Sequence, residues 1–208
     1  MLRVLVTNVK GGCGKTTIAT NLASAFAAGG FATGLAEVDR QRSSLSWLSL
    51  RGDRARPITP LDWRKDAGEV PDAIERLIID APANLKMRHV AELIQAADLV
   101  VVPVLASVFD EGSTARFLER LDELKPVRKG RKSIALVANR LRPRSKATQR
   151  LEAFLERLRQ PIAARLGDRA IYGELAVSGL GIFDVDGQAV RAVREEWRPL
   201  LGIIDGLG

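Results

Sequence analysis

Short apolar runs alternate along the chain with longer segments in which apolar residues recur every three or four positions. Each run is bounded by glycine, proline or polar residues, as expected for strands that are buried on both faces of a parallel sheet. The apolar runs span residues 4–6, 32–38, 77–79, 99–104 and 134–138. The segments with helical periodicity span residues 16–28, 87–97, 111–124 and 147–158. This alternation predicts an α/β fold in which a mostly parallel sheet carries helices on both faces.

Two stretches depart from this regular alternation. Residues 50–71, which combine prolines with mixed charges, are predicted to hold an edge strand among loops. Residues 190–201 place apolar side chains at helical spacing and are predicted to dock on the core. Pro199 is expected to kink or end that helix near Arg198, because proline removes a backbone donor and clashes with the preceding turn.

Length and composition favour one folded domain. A chain of 208 residues, 46% hydrophobic and 27% charged, suffices for one full core, so residues 1–208 are predicted to form a single domain. The first apolar run is too short for a signal peptide, and none approaches the roughly 18 residues of a membrane span. The single cysteine, Cys13, excludes an internal disulfide, and His89 alone leaves little for a zinc site. A reducing cytoplasm is the expected location.

A glycine-rich turn lies between the first strand and the first helix. It reads Lys10, Gly11, Gly12, Cys13, Gly14, Lys15, Thr16 and Thr17. Glycines allow backbone N–H groups to point inward around a phosphate, and the helix N-terminus adds a partial positive charge. In such a turn Lys15 reaches the terminal phosphates and the Thr16 hydroxyl ligates Mg²⁺. The sequence therefore predicts a phosphate-binding loop, with a glycine-rich turn and incidental lysines as the alternative.

A second lysine distinguishes this loop from a plain Walker A motif. Val9 occupies the position of that motif's first glycine, and Lys10 follows it. The pattern resembles the deviant Walker A motif of the ParA/MinD family, in which the extra lysine crosses a dimer interface to the partner's nucleotide. The resemblance implies ATP and Mg²⁺ as ligands, a homodimer formed with ATP, and catalytic roles for Lys10 and Lys15. The nucleotide-binding residues that it implies in the loop are Gly11, Gly12, Cys13, Gly14, Lys15, Thr16 and Thr17.

Other readings of the loop fit less well. Gly12 and Gly14, followed later by the acidic Glu37, imitate the G-x-G-x-x-G fingerprint of dinucleotide-binding oxidoreductases. Thr17 stands where that fingerprint needs its third glycine. An iron protein of the nitrogenase type resembles the same loop but needs more cysteine than Cys13 supplies. Cys13 itself is interpreted as a small filler residue rather than a nucleophile.

Two aspartates follow buried strands. Asp39 and Asp80 lie at carboxyl ends of predicted strands, where an open α/β sheet places its ligand. Asp80 is predicted to hold metal-bound water as a Walker B aspartate does, although such a residue alone often caps a helix. Resemblance to the family's first switch motif, Asp-x-Asp-x-Gln, implies that Asp39 orients the attacking water. Glu37 replaces the first aspartate of that motif, and the segment that ends at Asn84 departs from the second switch, which leaves the hydrolysis rate open.

Asn139 and Arg140 end the fifth predicted strand. This is the position at which the ParA/MinD family reads adenine, so the resemblance implies that both residues contact the base. The alternative is an ordinary turn at the end of a strand.

The positive charge is concentrated in one segment. Formal net charge is +7, whereas residues 125–150 carry ten basic residues and no acidic ones, which leaves the rest of the chain at −3. Such a segment predicts salt-sensitive, sequence-independent binding to duplex DNA, with a solvated arginine-rich face as the alternative. The two ends of the fifth predicted strand are expected to line up across a two-fold dimer. The predicted DNA-binding residues are Lys125, Arg128, Lys129, Arg131, Lys132, Arg142, Arg144, Lys146 and Arg150.

These residues and the resemblance predict an ATPase of the ParA type. Because the chain begins at the phosphate-loop strand, it resembles the short, ParF-like or cargo-positioning class. The implied cycle is ATP-dependent dimerisation, binding to nucleoid DNA, and slow hydrolysis stimulated by a ParB-like or adaptor protein, which partitions a plasmid, chromosome or protein cargo. The alternatives are a MinD-like membrane-surface ATPase and an ATP-dependent synthetase of the dethiobiotin type. Membrane binding is not expected, because Pro199 interrupts the C-terminal helix.

Overall fold

The computed structural model describes residues 1–207, apart from the side chains of residues 108–110. Within this range one sheet has the strand order β3-β2-β4-β1-β5-β6-β7, and all neighbouring strands are parallel. The strands are β1 (Leu2–Val6), β2 (Thr33–Glu37), β3 (Thr59–Asp62), β4 (Arg76–Asp80), β5 (Leu99–Leu105), β6 (Ser133–Leu141) and β7 (Ile162–Gly167). The α/β fold predicted from the sequence is confirmed.

Helices cover both faces of the sheet. They are α1 (Lys15–Ala28), α2 (Ser43–Ser49), α3 (Met87–Ala96), α4 (Val108–Glu123), α5 (Lys125–Arg128), α6 (Lys146–Leu155), α7 (Ile171–Ala176), α8 (Gln188–Glu195) and α9 (Arg198–Asp205). Successive residues of a strand point to opposite faces, so Val4 and Val6 pack in the core layer that contains α1 and α9. Leu5 points into the other layer, which contains α3, α4 and α6. Burial on both faces explains why the central strands are continuous apolar runs.

The five predicted strands and four predicted helices are present, with ends shifted by a few residues. Strand β3 is the edge strand predicted within residues 50–71, and it pairs with β2. Four short elements, α2, α5, β7 and α7, do not stand out in the sequence pattern. Each has seven residues or fewer, which is too short for a clear periodic signal.

The helix break that the sequence predicts near Arg198 is present. Helix α8 ends at Glu195, and Pro199 lies in the first turn of a second helix, α9. The first turn tolerates proline because its backbone N–H groups have no partner within the helix. The predicted docking on the core is confirmed, since Val190, Val193 and Trp197 are buried. Leu200 and Ile204 of α9 are also buried, so the apolar face of this helix covers the sheet.

The parallel strands place their carboxyl ends along one edge of the sheet. Glu37 at the end of β2 is in register with Asp80 at the end of β4, and Asp80 is in register with Val6 of β1. The glycine turn leaves from the same edge, because it follows β1. Among the described residues, no helix is both long enough and apolar enough to cross a membrane.

Candidate nucleotide-binding site

The glycine turn between β1 and α1 has the backbone of a phosphate loop. Gly12 and Gly14 have φ values of 74° and 92°, a left-handed conformation that L side chains rarely adopt. The Lys15 Nζ atom donates a 2.7 Å hydrogen bond to the Lys10 carbonyl oxygen. This bond places the Lys15 ammonium inside the turn, at the N-terminus of the 14-residue helix α1. Both the ammonium and the helix end favour an anion here.

Asn139 supports the turn from strand β6. Its Nδ2 atom donates a 2.8 Å hydrogen bond to the Cys13 carbonyl oxygen, and its Oδ1 atom accepts one from the Arg140 backbone. A Cβ atom on Gly14 would lie 2.2 Å from Asn139 Nδ2, so only glycine fits at this contact. The side chain of Arg140 is exposed beside it. Asn139 thus holds the loop, and the adenine contact predicted for both residues stays a prediction.

Asp80 is a buried carboxylate beside the loop. It is 1% exposed, and neither of its oxygens has a hydrogen-bond partner by geometry among the described residues. Burial, followed by the negative charge of Glu37, raises the pKa of Asp80 to about 7. The nearby Thr16 hydroxyl and the charge of Lys15 lower this pKa in part, and Asp39 raises it slightly. A buried carboxylate without hydrogen-bond partners is stabilised by a bound cation, so Asp80 is a candidate metal ligand.

The donor set fits Mg²⁺. Asp80 supplies two buried oxygens that lack partners, and Thr16 supplies a hydroxyl beside them. Hard oxygen donors are the ligands that Mg²⁺ prefers, and the ion usually takes one or two protein groups together with phosphate and water. Among the described residues no cluster of three or more His, Cys, Asp or Glu side chains can hold a metal by itself. The site therefore suits a metal that arrives with a phosphate ligand.

Asp39 lies directly beyond β2, at the same edge of the sheet. It is half-buried, and its Oδ1 atom accepts a 3.0 Å hydrogen bond from the Gln41 backbone. Two residues earlier, Glu37 is completely buried. One Glu37 oxygen accepts from the Asp39 backbone at 3.1 Å, and the other accepts from the Ser44 backbone and hydroxyl at 2.7 and 2.6 Å. The structure thus brings Asp39, Asp80 and Lys15 to one edge, as the sequence predicts.

Cys13 has the properties of a filler residue. Its side chain is buried, and its Sγ atom contacts the Lys10 carbonyl at 3.3 Å. Burial raises the pKa of the Cys13 thiol, although the nearby Lys15 ammonium lowers it in part. A thiol with a raised pKa is a poor nucleophile, because the thiolate is the reactive form.

Known proteins share both the sequence pattern and the fold. The profile of the CobQ/CobB/MinD/ParA nucleotide binding domain matches residues 4–182. The chain belongs to this family. Over 197 residues it is 28% identical to the "Maintenance of carboxysome distribution protein A" of Halothiobacillus neapolitanus, and the match covers 91% of this chain and 90% of the relative.

Two solved structures of the ParA/MinD family have the same fold. A McdA variant from Cyanothece in complex with ATP superposes with a TM-score of 0.72 at 16% identity, covering 100% of this chain and 96% of that one. The septum site-determining protein MinD from Pyrococcus horikoshii, in complex with Mg-ADP, superposes with a TM-score of 0.69 at 18% identity, covering 98% of each chain. The resemblance inferred from the glycine turn is confirmed at the level of the family.

The basic segment of this ParA/MinD family member does not form one patch. Strand β6 has nine residues and extends over roughly 30 Å, which separates the segment's two ends. The amino-end cluster consists of Lys125, Arg128, Lys129, Arg131 and Lys132. The carboxyl-end cluster consists of Arg140, Arg142, Arg144, Lys146 and Arg150. The basic residues therefore lie as two clusters at opposite ends of β6, and their binding to DNA stays a prediction.

The two clusters also differ in their ion pairs. In the carboxyl-end cluster, Arg142 lies 2.8 Å from Asp168 and Arg150 lies 3.2 Å from Glu111. In the amino-end cluster only Lys132 has an ion pair among the described residues, at 3.8 Å from Asp98. The other four side chains of that cluster are exposed. More uncompensated positive charge therefore lies at the amino-end cluster, on the edge of the sheet away from the loop.

Sequence reasoning missed two residues that support the site. Asn8 is buried, its Nδ2 atom donates to the Pro103 carbonyl at 2.7 Å, and its Oδ1 atom accepts from the Lys10 backbone at 3.3 Å. Asn8 thus anchors the start of the loop to β5. Its position just before the loop in the sequence could have indicated this role. Ser44 supports Glu37 from helix α2. No local pattern marks Ser44, because the contact depends on how the chain returns after β2.

Proposed function

We propose that this protein is an ATPase of the ParA type that dimerises on ATP, binds DNA without sequence preference and positions a cargo. The observation that carries the proposal is the meeting of Lys15, Thr16, Asp80 and Asp39 at one edge of the sheet. A phosphate loop, a metal-holding carboxylate and a second aspartate are the parts that phosphoryl transfer requires. The two family members whose solved structures hold Mg-ADP and ATP support the choice of ligand.

Each part of the site has a distinct role in ATP hydrolysis. The amides of residues 11–17 bind the phosphate oxygens, and the Lys15 ammonium reaches the terminal phosphates. Thr16 and Asp80 would hold the Mg²⁺ ion that accompanies the nucleotide. When bound, this Mg²⁺ neutralises charge on the phosphate oxygens. Asp39 orients the attacking water. Asn139 holds the loop through its bond to the Cys13 carbonyl, and Asn139 and Arg140 contact the base.

Lys10 is proposed to act across a dimer interface. It lies in the exposed glycine turn and is half-buried within the protomer. In the sandwich dimer each Lys10 contacts the nucleotide of the other subunit, so dimerisation depends on ATP. Hydrolysis removes that shared contact and returns the protein to monomers, which makes the ATPase a timer rather than a metabolic catalyst.

The partners of the dimer are proposed to be DNA and an adaptor protein. The basic clusters at the two ends of β6 supply phosphate contacts that carry no base information. A ParB-like or adaptor protein stimulates hydrolysis and releases the dimer from nucleoid DNA. The name of the Halothiobacillus relative, which concerns carboxysome distribution, favours a protein assembly as the cargo over a plasmid or chromosome. We assign all of these activities to a single domain, residues 1–208, and place the protein in the cytoplasm.

DNA is favoured over a membrane surface as the support. A MinD-like mode requires a C-terminal amphipathic helix with a free apolar face. In α9 the residues Leu200 and Ile204 are completely buried against the sheet. The same face cannot pack on the core and insert into lipid at once.

ATP binding and dimerisation test the proposal directly. Lys15→Ala is expected to abolish binding of a fluorescent ATP analogue, whereas Lys65→Ala, which changes an exposed lysine, is expected to leave it unchanged. Asp39→Ala with ATP is expected to elute as a dimer in gel filtration, because binding persists when hydrolysis stops. Binding by Lys15→Ala would remove the loop assignment, and a monomeric Asp39→Ala would remove the switch. Hydrolysis that depends on a small organic substrate and ignores DNA would instead identify a synthetase of the dethiobiotin type.

A further inference from the structure

Glu37 is a buried carboxylate whose contacts the ATPase cycle above does not use. It ends strand β2, is 0% exposed, and is in register with Asp80 on β4. A completely buried carboxylate is costly unless hydrogen bonds compensate for the lost water. Glu37 accepts four such bonds, and all of them come from the segment that follows it.

The two oxygens of Glu37 are divided between the two ends of that segment. Oε1 accepts from the Asp39 backbone at 3.1 Å. Oε2 accepts from the Ser44 backbone at 2.7 Å, from the Ser44 hydroxyl at 2.6 Å and from the Leu45 backbone at 3.4 Å. The single carboxylate therefore links the backbone of Asp39 to the first turn of α2 and closes the loop between them.

The closed loop has limited freedom of its own. Arg42 has a φ of 58°, a left-handed conformation that costs free energy for a side chain other than glycine. The Arg42 backbone donates to the Asp39 carbonyl at 3.2 Å, and the Ser46 backbone donates to the Arg42 carbonyl at 2.8 Å. Such a turn persists only when its two ends are held by their surroundings.

Helix α2 is a firm anchor for this loop. Its Trp47 side chain is buried, and the indole Nε1 atom donates to the Leu180 carbonyl at 3.3 Å. Just beyond the helix, Arg51 forms a buried ion pair with Asp184 at 2.6 Å. The position of α2 is therefore set by the rest of the fold. Because Glu37 binds both α2 and the Asp39 backbone, it fixes Asp39 relative to that helix.

The length of Glu37 is suited to this connection. An aspartate at position 37 would be one methylene shorter, so from the same backbone position its carboxylate would fall short by roughly 1.5 Å. The Ser44 bonds of 2.6 and 2.7 Å have no slack to absorb that difference.

We propose that Glu37 is a positioning residue that holds Asp39 in its catalytic place by linking it to Ser44 of α2. The inference rests on the proposed ATPase function, because it assigns Asp39 to the orientation of water. Misplacement of an orienting group by about 1 Å can cost up to about a hundredfold in rate. Substrate binding is affected far less, because the phosphate loop is formed by other residues.

The test separates positioning from general stability by the steady-state ATPase kinetics of four variants. Glu37→Gln and Glu37→Asp are expected to lower kcat at least about tenfold while the KM for ATP changes less than about twofold. Ser44→Ala, which removes only the hydroxyl bond, is expected to lower kcat about threefold. Ser49→Ala is the matched control, since this exposed serine belongs to the same helix and does not contact Glu37.

A second measurement asks whether the effect passes through Asp39. In an Asp39→Ala background, Ser44→Ala is expected to cause no further fall in the residual kcat. A further threefold fall there, or a kcat of Ser44→Ala equal to that of Ser49→Ala, would overturn the inference. Because Ser44→Ala is a small change, these outcomes can be read even if the Glu37 variants do not fold. If the unaltered protein lacks ATPase activity, the proposed function fails instead.

Discussion

The Asn139 side chain and the Cys13 carbonyl, 126 positions apart in the sequence, are joined by a hydrogen bond of 2.8 Å. This bond ties the sixth strand to the phosphate loop and brings the amide of Asn139 against the bare Cα of Gly14. The loop is therefore shaped from outside as well as by its own glycines. Its conformation depends on a contact that any side chain at position 14 would block.

Gly14→Ala is expected to destabilise the protein more than a left-handed backbone alone explains. An alanine at a φ of 92° costs about 1 to 2 kcal/mol, and the clash of its Cβ with Asn139 adds about 1 to 3 kcal/mol. Gly130→Ala is the matched control, because Gly130 has a φ of 65° but an added Cβ meets no described atom within 4 Å. Urea unfolding measures both. Equal losses in the two variants would contradict the packing argument, and Gly14→Ala/Asn139→Ala is expected to recover part of the stability.

The stability of the protein without nucleotide and metal is expected to fall as pH rises from about 4 to about 7. In the folded state Asp80 has a pKa of about 7, above its ordinary value of 3.8, because burial and the charges of Glu37 and Asp39 outweigh the opposing effects of the Thr16 hydroxyl and Lys15. Between these two pH values the folded state binds the proton more tightly than the unfolded state. The contribution of the Asp80 proton to stability is thus fully present below about pH 4. It is lost as pH rises through about 7, and the loss is at most about 4 kcal/mol.

Asp80→Asn removes this loss of stability. In chelator, the variant is expected to unfold at a higher temperature than the unaltered protein at pH 8 and at nearly the same temperature at pH 5. Asp72→Asn, at an exposed aspartate, is the control and is expected to follow the unaltered protein at both pH values. Asp80→Asn is also expected to lose Mg²⁺-dependent nucleotide binding. If the unfolding temperature falls at pH 8, the carboxylate stabilises the fold and the metal assignment loses its support.

The amino-end basic cluster is expected to supply most of the DNA affinity. Its four exposed side chains lack ion pairs among the described residues, whereas Arg142 and Arg150 are already paired. A variant with glutamine at positions 125, 128, 129 and 131 is expected to reduce the slope of log affinity against log salt by about 3 to 4. The measurement is a salt titration of duplex DNA binding in the presence of ATP.

A charge-matched control distinguishes a local surface from overall charge. Glutamine at Arg54, Arg56, Lys65 and Arg191, which are exposed and lie outside both basic clusters, lowers the net charge by the same amount. This control is expected to keep the salt slope within about one unit of the original value. Equal losses of slope in the two variants would assign binding to the net charge of the chain rather than to the amino-end cluster.

The ion pair between Arg51 and Asp184 is expected to be a large local contribution to stability. Both side chains are buried, with 4% and 1% exposure, and Asp184 also accepts from the Ser24 hydroxyl at 2.8 Å. Asp184→Asn leaves the Arg51 charge buried without its partner and is expected to cost about 3 to 5 kcal/mol in urea unfolding.

An exposed ion pair provides the comparison. Glu195→Gln breaks the ion pair between Glu195 and Arg198, whose side chains are 57% and 76% exposed respectively. This change is expected to cost less than about 1 kcal/mol. A cost for Asp184→Asn no greater than that of Glu195→Gln would mean that Arg51 finds other partners. The pair would then not hold the end of α2.

The sequence by itself determined the phosphate loop and the class of the fold. Residues 10–17 are contiguous and lie between a strand and a helix whose periodicities are local properties of the chain. The number of strands was nearly predictable for the same reason. Strand β7 was not predicted, because it has only six residues and the exposed Arg165 interrupts its apolar run. The placement of Asp39 and Asp80 at one edge of the sheet was predictable, because parallel strands end at one edge whatever their order.

Only the tertiary structure decided which distant residues touch. Asn139 meets Cys13, Glu37 meets Ser44, and β6 separates a basic segment that is continuous in sequence. These contacts depend on strand order, on register and on where a short helix such as α2 returns to the sheet. Hydrophobic periodicity carries none of that information, because it records which side of an element is buried but not what the element is buried against.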